Sequence, residues 1–183
     1  MRKLLLIMCA MFAFNLLAQD NLKFMNIPIC GNIEKFASEL EQKGFSKLSK
    51  KLYEGEFAGE NATIYLSDDE HNNIHTIMVI FDEKTSWTAL KSSFFQFKEL
   101  YTEKYGRPTR QLSVFENPYY EGDGFEMQAV KLDKTRYASI YELENGDIIL
   151  TITKECNVAV VYEDKVGSKI NDEQKKEKAL NDI

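Results

Sequence analysis

The sequence predicts an α+β domain, a mainly antiparallel sheet with helices on one face. Three observations predict it. Two stretches repeat apolar residues every three and four positions, the period of an amphipathic helix. Eight shorter runs read as strands, several with apolar and polar residues in strict alternation. Short polar turns join most successive runs, which favours antiparallel pairing. The predicted order is α-βββ-α-βββββ-α.

The elements follow in chain order. Residues 21–29 read as an extended lead-in, since Pro28 disfavours helix before it. Asn32 suits an N-cap, and Ile33, Phe36, Ala37 and Leu40 form the apolar stripe of the first helix. Gly44 stops it, with Phe45 following as in a Schellman turn. Strands are predicted at 51–58, 62–67 and 74–81, the last carrying five apolar residues in a row from Ile77 and so central. The second helix is predicted over 86–105, with Trp87, Leu90, Phe94, Phe97 and Tyr101 on one stripe; Gly106 and Pro108 end it. Strands follow at 110–116, 125–132, 136–143, 148–153 and 158–162. The second and third of these are read as a hairpin through Asp133-Lys134, and Asn145-Gly146 as a type I′ turn. From Gly167 the chain is polar, with Ala179 and Leu180 suggesting a lightly docked terminal helix. The two helix-then-strands units hint at a tandem repeat.

The chain opens as an export signal would. Met1-Arg2-Lys3 precedes an apolar run from Leu4 to Leu17, then Ala18. That run is shorter than the ~20 residues a bilayer span needs. Residues 1–18 are therefore expected to be a signal peptide and 19–183 a single α+β domain, placed in the periplasm or outside the cell, with no stable membrane span after cleavage. Cleavage leaves 21 basic against 29 acidic residues, a charge of −8 in place of −6. A surface so negative argues against sequence-independent nucleic-acid binding. Cys9 leaves with the signal; Cys30 and Cys156 remain, and export invites a disulfide between them. Closing so large a ring stabilises by about 5 kcal/mol at most. The alternative is two separate thiols, packed as small apolar groups.

Common catalytic signatures are missing. The sequence has no Gly-x-Ser-x-Gly, no Ser-x-x-Lys and no phosphate-binding glycine loop. No cofactor is expected. His71 and His75 stand four apart beside Asp68, Asp69 and Glu70, but Asn72-Asn73 makes a turn there, so a metal site is not expected.

Two groups of residues remain as candidates. If Ile64, Leu66, Leu112, Val114, Ile140, Ile148, Leu150 and Ile152 face the helices, alternation places Tyr65, Phe115, Tyr137, Tyr141, Thr151 and Thr153 on the opposite face. Tyrosine with threonine is the composition of an adaptable binding surface, although both are also ordinary strand residues. The loop from 116 to 126 carries Tyr119, Tyr120, Glu121, Asp123 and Glu126 around two glycines. Paired acids beside aromatics are what a glycan hydrolase uses; the plainer alternative is an acidic hairpin loop. The leading expectation is thus a non-enzymatic binding module for a protein, peptide or glycan of the cell envelope. The alternatives are a carboxylate hydrolase at the 116–126 loop and an envelope structural protein.

Ala18-Gln19 at the signal's end, Ile27-Pro28-Ile29, and the helix end Tyr105-Gly106-Arg107-Pro108 resemble small exported proteins of Bacteroides-type bacteria, most without an assigned function. The arrangement also resembles the tandem helix-and-sheet fold of the beta-lactamase inhibitor protein and of small outer-membrane assembly lipoproteins. The resemblance implies that fold and carries over no functional residue. The chain lacks the lipid-attachment cysteine of the lipoproteins.

Overall fold

A computed structural model describes residues 21–181, so the expected signal peptide lies outside the described residues. The fold is α+β with a mainly antiparallel sheet. A ribbon of β1 (Lys23–Phe24) and β2 (Ile27–Pro28) leads into α1 (Ile33–Gln42). Then come β3 (Ser46–Ser49), β4 (Leu52–Phe57), β5 (Glu60–Asp68), β6 (Ile74–Phe81) and α2 (Trp87–Tyr105). The second half holds β7 (Arg110–Phe115), α3 (Glu126–Lys131), β8 (Thr135–Glu142), β9 (Gly146–Ile152), β10 (Val158–Asp164) and α4 (Lys165–Asn181).

The main sheet has eight strands in the order β3-β4-β5-β6-β10-β9-β8-β7. Each half of the chain is therefore a helix followed by a four-stranded meander, and the last strands of the two meanders, β6 and β10, meet at the centre. They pair antiparallel, Val79 with Val160 and Ile77 with Tyr162. One face of the sheet carries the core. Ile64, Leu66, Ile77, Val79, Leu150, Val160 and Tyr162 lie there, beneath Ile33, Phe36 and Leu40 of α1 and Leu90, Phe94, Phe97 and Tyr101 of α2. Phe81 and Phe97 stack at 4.0 Å between ring centres, and the Tyr101 and Tyr162 hydroxyls share a hydrogen bond. α4 crosses the lower end, where β10 finishes and β6 begins. Its Gln174 bonds Asp69 in the β5–β6 turn, and its buried contact is Asn171.

Several expectations are corrected. The segment 125–132 is not a strand: Glu126–Lys131 forms helix α3, and Ala129 N donates to Phe125 O at 2.9 Å. Met, Gln, Ala and Lys are all good helix formers, and an apolar spacing of three and four fits this segment as well as alternation does. β8 consequently pairs β7 rather than the 125–132 segment. Asn145-Gly146 is not a type I′ turn, since neither residue has positive φ. Gly146 is needed for another reason: a Cβ there would lie 2.2 Å from the Glu163 carbonyl oxygen. The type I′ geometry occurs instead at Ala58 (φ 53°) and Gly59 (φ 83°), between β4 and β5. Ala58 pays for that turn in backbone strain, because its Cβ crowds the carbonyl in the left-handed region. Ala58→Asn is expected to stabilise the fold by about 0.5–1 kcal/mol, read as a higher thermal midpoint; an unchanged or lower midpoint contradicts the strain.

Cys30 and Cys156 are both free, one exposed and one buried. Gly31 O accepts from Ile74 N at the start of β6, whereas Cys156 O accepts from Lys84 N just past its end. The eight residues of β6 thus separate the two thiols. At ~3.3 Å per residue the gap is about 25 Å, against a Cα limit of about 7 Å for a disulfide. The expected disulfide is therefore absent.

Candidate binding surface

The sheet's second face is open across most of its width. Cross-strand partners define two adjacent rows on it. The first runs from Ile140 to Ile149, Val161, Met78, Tyr65 and Leu52. The second runs from Leu112 to Ala138, Thr151, Ala159, Ile80 and Thr63. Tyr65, Leu112 and Val114 are 42%, 43% and 48% exposed, and Met78, Ile80, Ile140, Ile149 and Val161 are half-buried. The buried apolar side chains of α1 and α2, with Val130 of α3, belong to the other face, whereas α4 packs over the lower end of this one, beside Asp147 and Glu163.

The structure divides the predicted face. Tyr65 and Thr151 lie on it as expected. Thr153 lies past the end of β9, where its hydroxyl donates to Asn157 Oδ1 at 2.7 Å and caps the β9–β10 turn. Tyr137 and Tyr141 are on the core face, 2% and 1% exposed, and Phe115 turns the same way. The alternation on β7 and β8 is the reverse of the one predicted. Ile140, Leu112 and Val114 occupy the open face instead. The cause is α2. Phe94 and Tyr101 meet rings on β8: Phe94 packs on Tyr137 at 5.9 Å and Tyr101 on Tyr141 at 6.1 Å. The Tyr141 hydroxyl donates to the Lys98 carbonyl at 3.2 Å, a helix partner that an isoleucine could not use.

Tyr137 and Phe115 join the other predicted group. Trp87 packs edge-on against both, at 5.1 Å and 5.4 Å. The Tyr137 hydroxyl donates to Glu121 Oε2 at 3.1 Å, and Lys91 pairs with the other carboxylate oxygen. The Lys91 ammonium first, and the Tyr137 hydroxyl with it, hold Glu121 below the usual carboxylate range. Burial foremost, and the neighbouring carboxylate after it, push the Tyr137 hydroxyl up to about 12. A general acid needs a raised carboxyl pKa, so Glu121 is set the wrong way for that role. Asp123 accepts from the Tyr120 and Phe125 amides, and Glu126 from the Gly122 amide at 2.8 Å. These two acids fold the loop, and Tyr120 stands in solvent. Tyr119 N donates to Glu116 O, continuing that local turn, which leads into α3 rather than forming a hairpin. Trp87, Lys91 and Phe95 line an open cleft with Glu121 and Glu126, a place for Trp87 that its position on the helical stripe does not announce.

His71 and His75 lie at the β5–β6 turn. The Asp69 carboxylate accepts from the His71 and Asn73 amides, and His75 Nδ1 lies 2.8 Å from Thr76 Oγ1. No group of three or more potential ligands is gathered among the described residues. No described helix is long and apolar enough to cross a membrane.

The fold defines an α+β protein of two joined meanders, with one sheet face that α4 covers only at its lower end. No family model matches the chain, and no curated protein matches it. A solved DUF4309 family protein, YjgB from Bacillus subtilis, is similar to it at a TM-score of 0.33 and 12% identity, over 66% of this chain and 68% of that one. A likeness this slight carries no argument about function. The resemblance to exported Bacteroides-type proteins and to the beta-lactamase inhibitor protein finds no match in these comparisons.

Proposed function

We propose that the protein is an exported binding module whose open sheet face receives a partner protein of the cell envelope. The observation that supports this most is the apolar row Ile140, Ile149, Val161, Met78, Tyr65 and Leu52. It crosses six strands, about 25 Å at the usual strand spacing. A row of that span suits a protein surface better than a small ligand, which needs an enclosing pocket.

The test is a binding measurement on a triple variant, Tyr65→Ser with Met78→Thr and Val161→Thr. Threonine keeps strand propensity, and all three side chains leave the core untouched. A partner captured from envelope or culture fractions by the parent protein, then purified, is expected to bind the variant at least tenfold more weakly. Equal affinity for parent and a still-folded variant would refute the assignment of this face.

A further inference from the structure

The two ends of the sheet differ. β3 is a four-residue edge strand whose register shifts between Lys47 and Ser49, the kind of irregularity that discourages pairing. β7 has none of these defences. It is six residues long without proline, pairs β8 in unbroken register, and exposes five residues in succession from Arg110 to Val114. A regular, uncovered edge is a template for another strand.

The sequence of β7 indicates which strand fits. Glu116 N donates to Lys134 O at 2.8 Å, so the even-numbered residues point their amides and carbonyls toward β8. By alternation Gln111, Ser113 and Phe115 present theirs to the free edge. Arg110, Leu112, Val114 and Glu116 follow the parity of the open sheet face. Turn this strand about a two-fold axis at Ser113 and it meets its own image in register. Arg110 falls opposite Glu116, Leu112 opposite Val114, and Ser113 opposite Ser113. Hydrogen-bonding residues face hydrogen-bonding residues and apolar side chains meet; Arg110 and Glu116, which within one protomer pair with Glu142 and with Lys134 and Arg136, also meet as opposite charges. A shift of two residues either way sets Arg110 opposite Val114, or Leu112 opposite Glu116.

We propose that β7 pairs antiparallel with the β7 of a second copy of this chain, about a two-fold axis at Ser113, joining two sheets into one. The interface is isologous, as a two-fold dimer requires. It is small, so the dimer is expected to dissociate in the micromolar range. It is separate from the face proposed above, although Leu112 and Val114 border both.

Sedimentation velocity on the exported protein, from roughly 1 to 200 μM, tests this. The parent is expected to pass from monomer to dimer. Ser113→Pro is expected to remain monomeric throughout with an unchanged circular dichroism spectrum, because the amide it removes points away from β8. Arg110→Glu should weaken the dimer at least tenfold at low salt by facing Glu116 with a like charge, whereas Glu142→Lys, which sets a like charge against Arg110 inside the protomer only, should weaken it far less. In a Cys30→Ser background, Ser113→Cys should oxidise to a covalent dimer, since facing residues of a hydrogen-bonded pair sit about 5.5 Å apart. Gln111→Cys faces Phe115 and should not. A parent monomeric at every concentration overturns the proposal, as does a dimer that Ser113→Pro leaves intact. If Ser113→Pro misfolds, the two cysteine variants decide: equal cross-linking of both, or of neither, overturns it. The triple variant of the open face should dimerise normally, so failure there leaves this pairing standing, and the reverse.

Discussion

Asp164→Ala is expected to lower the unfolding free energy by about 2–4 kcal/mol. The side chain is fully buried at the end of β10. Oδ2 accepts from Leu22 N at 2.8 Å, and both oxygens lie 3.2 Å from Asn21 Nδ2. Oδ1 accepts from Val166 N at 3.1 Å and Gly167 N at 2.8 Å, which makes it the N-terminal cap of α4. One carboxylate thus ties the start of the described chain to β10 and begins its last helix. Losing the cap alone costs about 1 kcal/mol. Leaving the buried Leu22 amide without its acceptor adds about 1–3 kcal/mol. Asp164→Asn keeps one oxygen for the cap and turns a donor toward another donor, so it should fall between parent and alanine. Urea midpoints measure all three. An alanine variant within about 1 kcal/mol of the parent would show that the carboxylate is dispensable. Faster amide exchange at Val166 and Gly167 should accompany the loss, because Asp164 Oδ1 accepts from both, while Lys165 N keeps its bond to Asn145 O.

Much of this architecture is legible in the sequence, and its limits have physical causes. The α1 stripe, the α2 stripe with its stop at Gly106 and the central position of β6 follow from periodicity and punctuation alone. On β5 the phase is unambiguous: Ala62, Ile64 and Leu66 alternate with polar or amphipathic residues, and all three are buried. On β8 both phases are plausible, Ala138 and Ile140 in one and Tyr137, Ser139 and Tyr141 in the other. Hydrophobicity favours the first; the shape of α2 selects the second. Which rings a helix presents to a strand depends on its crossing of the sheet, and no local pattern encodes that. The edge position of β7 is hidden for the same reason. Leu112 and Val114 look like core residues until the strand is seen to turn its odd-numbered residues toward α2, where Phe115 meets Trp87 and Gln111 accepts from Lys98. The contact between Glu121 and Tyr137 spans sixteen residues and joins two groups that sequence reasoning kept apart. Only the paired acids and aromatics of the loop hinted that it has a partner.

The reversed phase makes a second large prediction, in which tyrosines on the two faces of one sheet respond oppositely. Tyr141→Ala should cost about 3–5 kcal/mol, as emptying a buried aromatic site does, and Tyr65→Ala about 0.5 kcal/mol or less. Tyr141→Phe keeps the ring against Tyr101 and Tyr105 but gives up the hydroxyl bonds to Lys98 O and Thr102, so about 1 kcal/mol is expected. Tyr137 adds a pH dependence with a definite sign. Its folded pKa is raised to about 12, so the folded state holds a proton that the unfolded chain releases near its ordinary value of about 10. The stability it contributes is complete below that ordinary value and is lost as pH rises toward the folded one. Tyr137→Phe removes this titration. Its urea midpoint should therefore fall less steeply than the parent's between about pH 9 and 11. Parallel pH profiles would place Tyr137 in water, and a Tyr141→Ala protein as stable as Tyr65→Ala would return both rings to the open face. With Tyr137 and Tyr141 committed to the core and Tyr65 exposed on the open face, binding can be probed through Tyr65 and its neighbours without disturbing the fold. The face Tyr65 shares with Met78 and Val161 is then the part of the molecule whose chemistry is not consumed by holding it together.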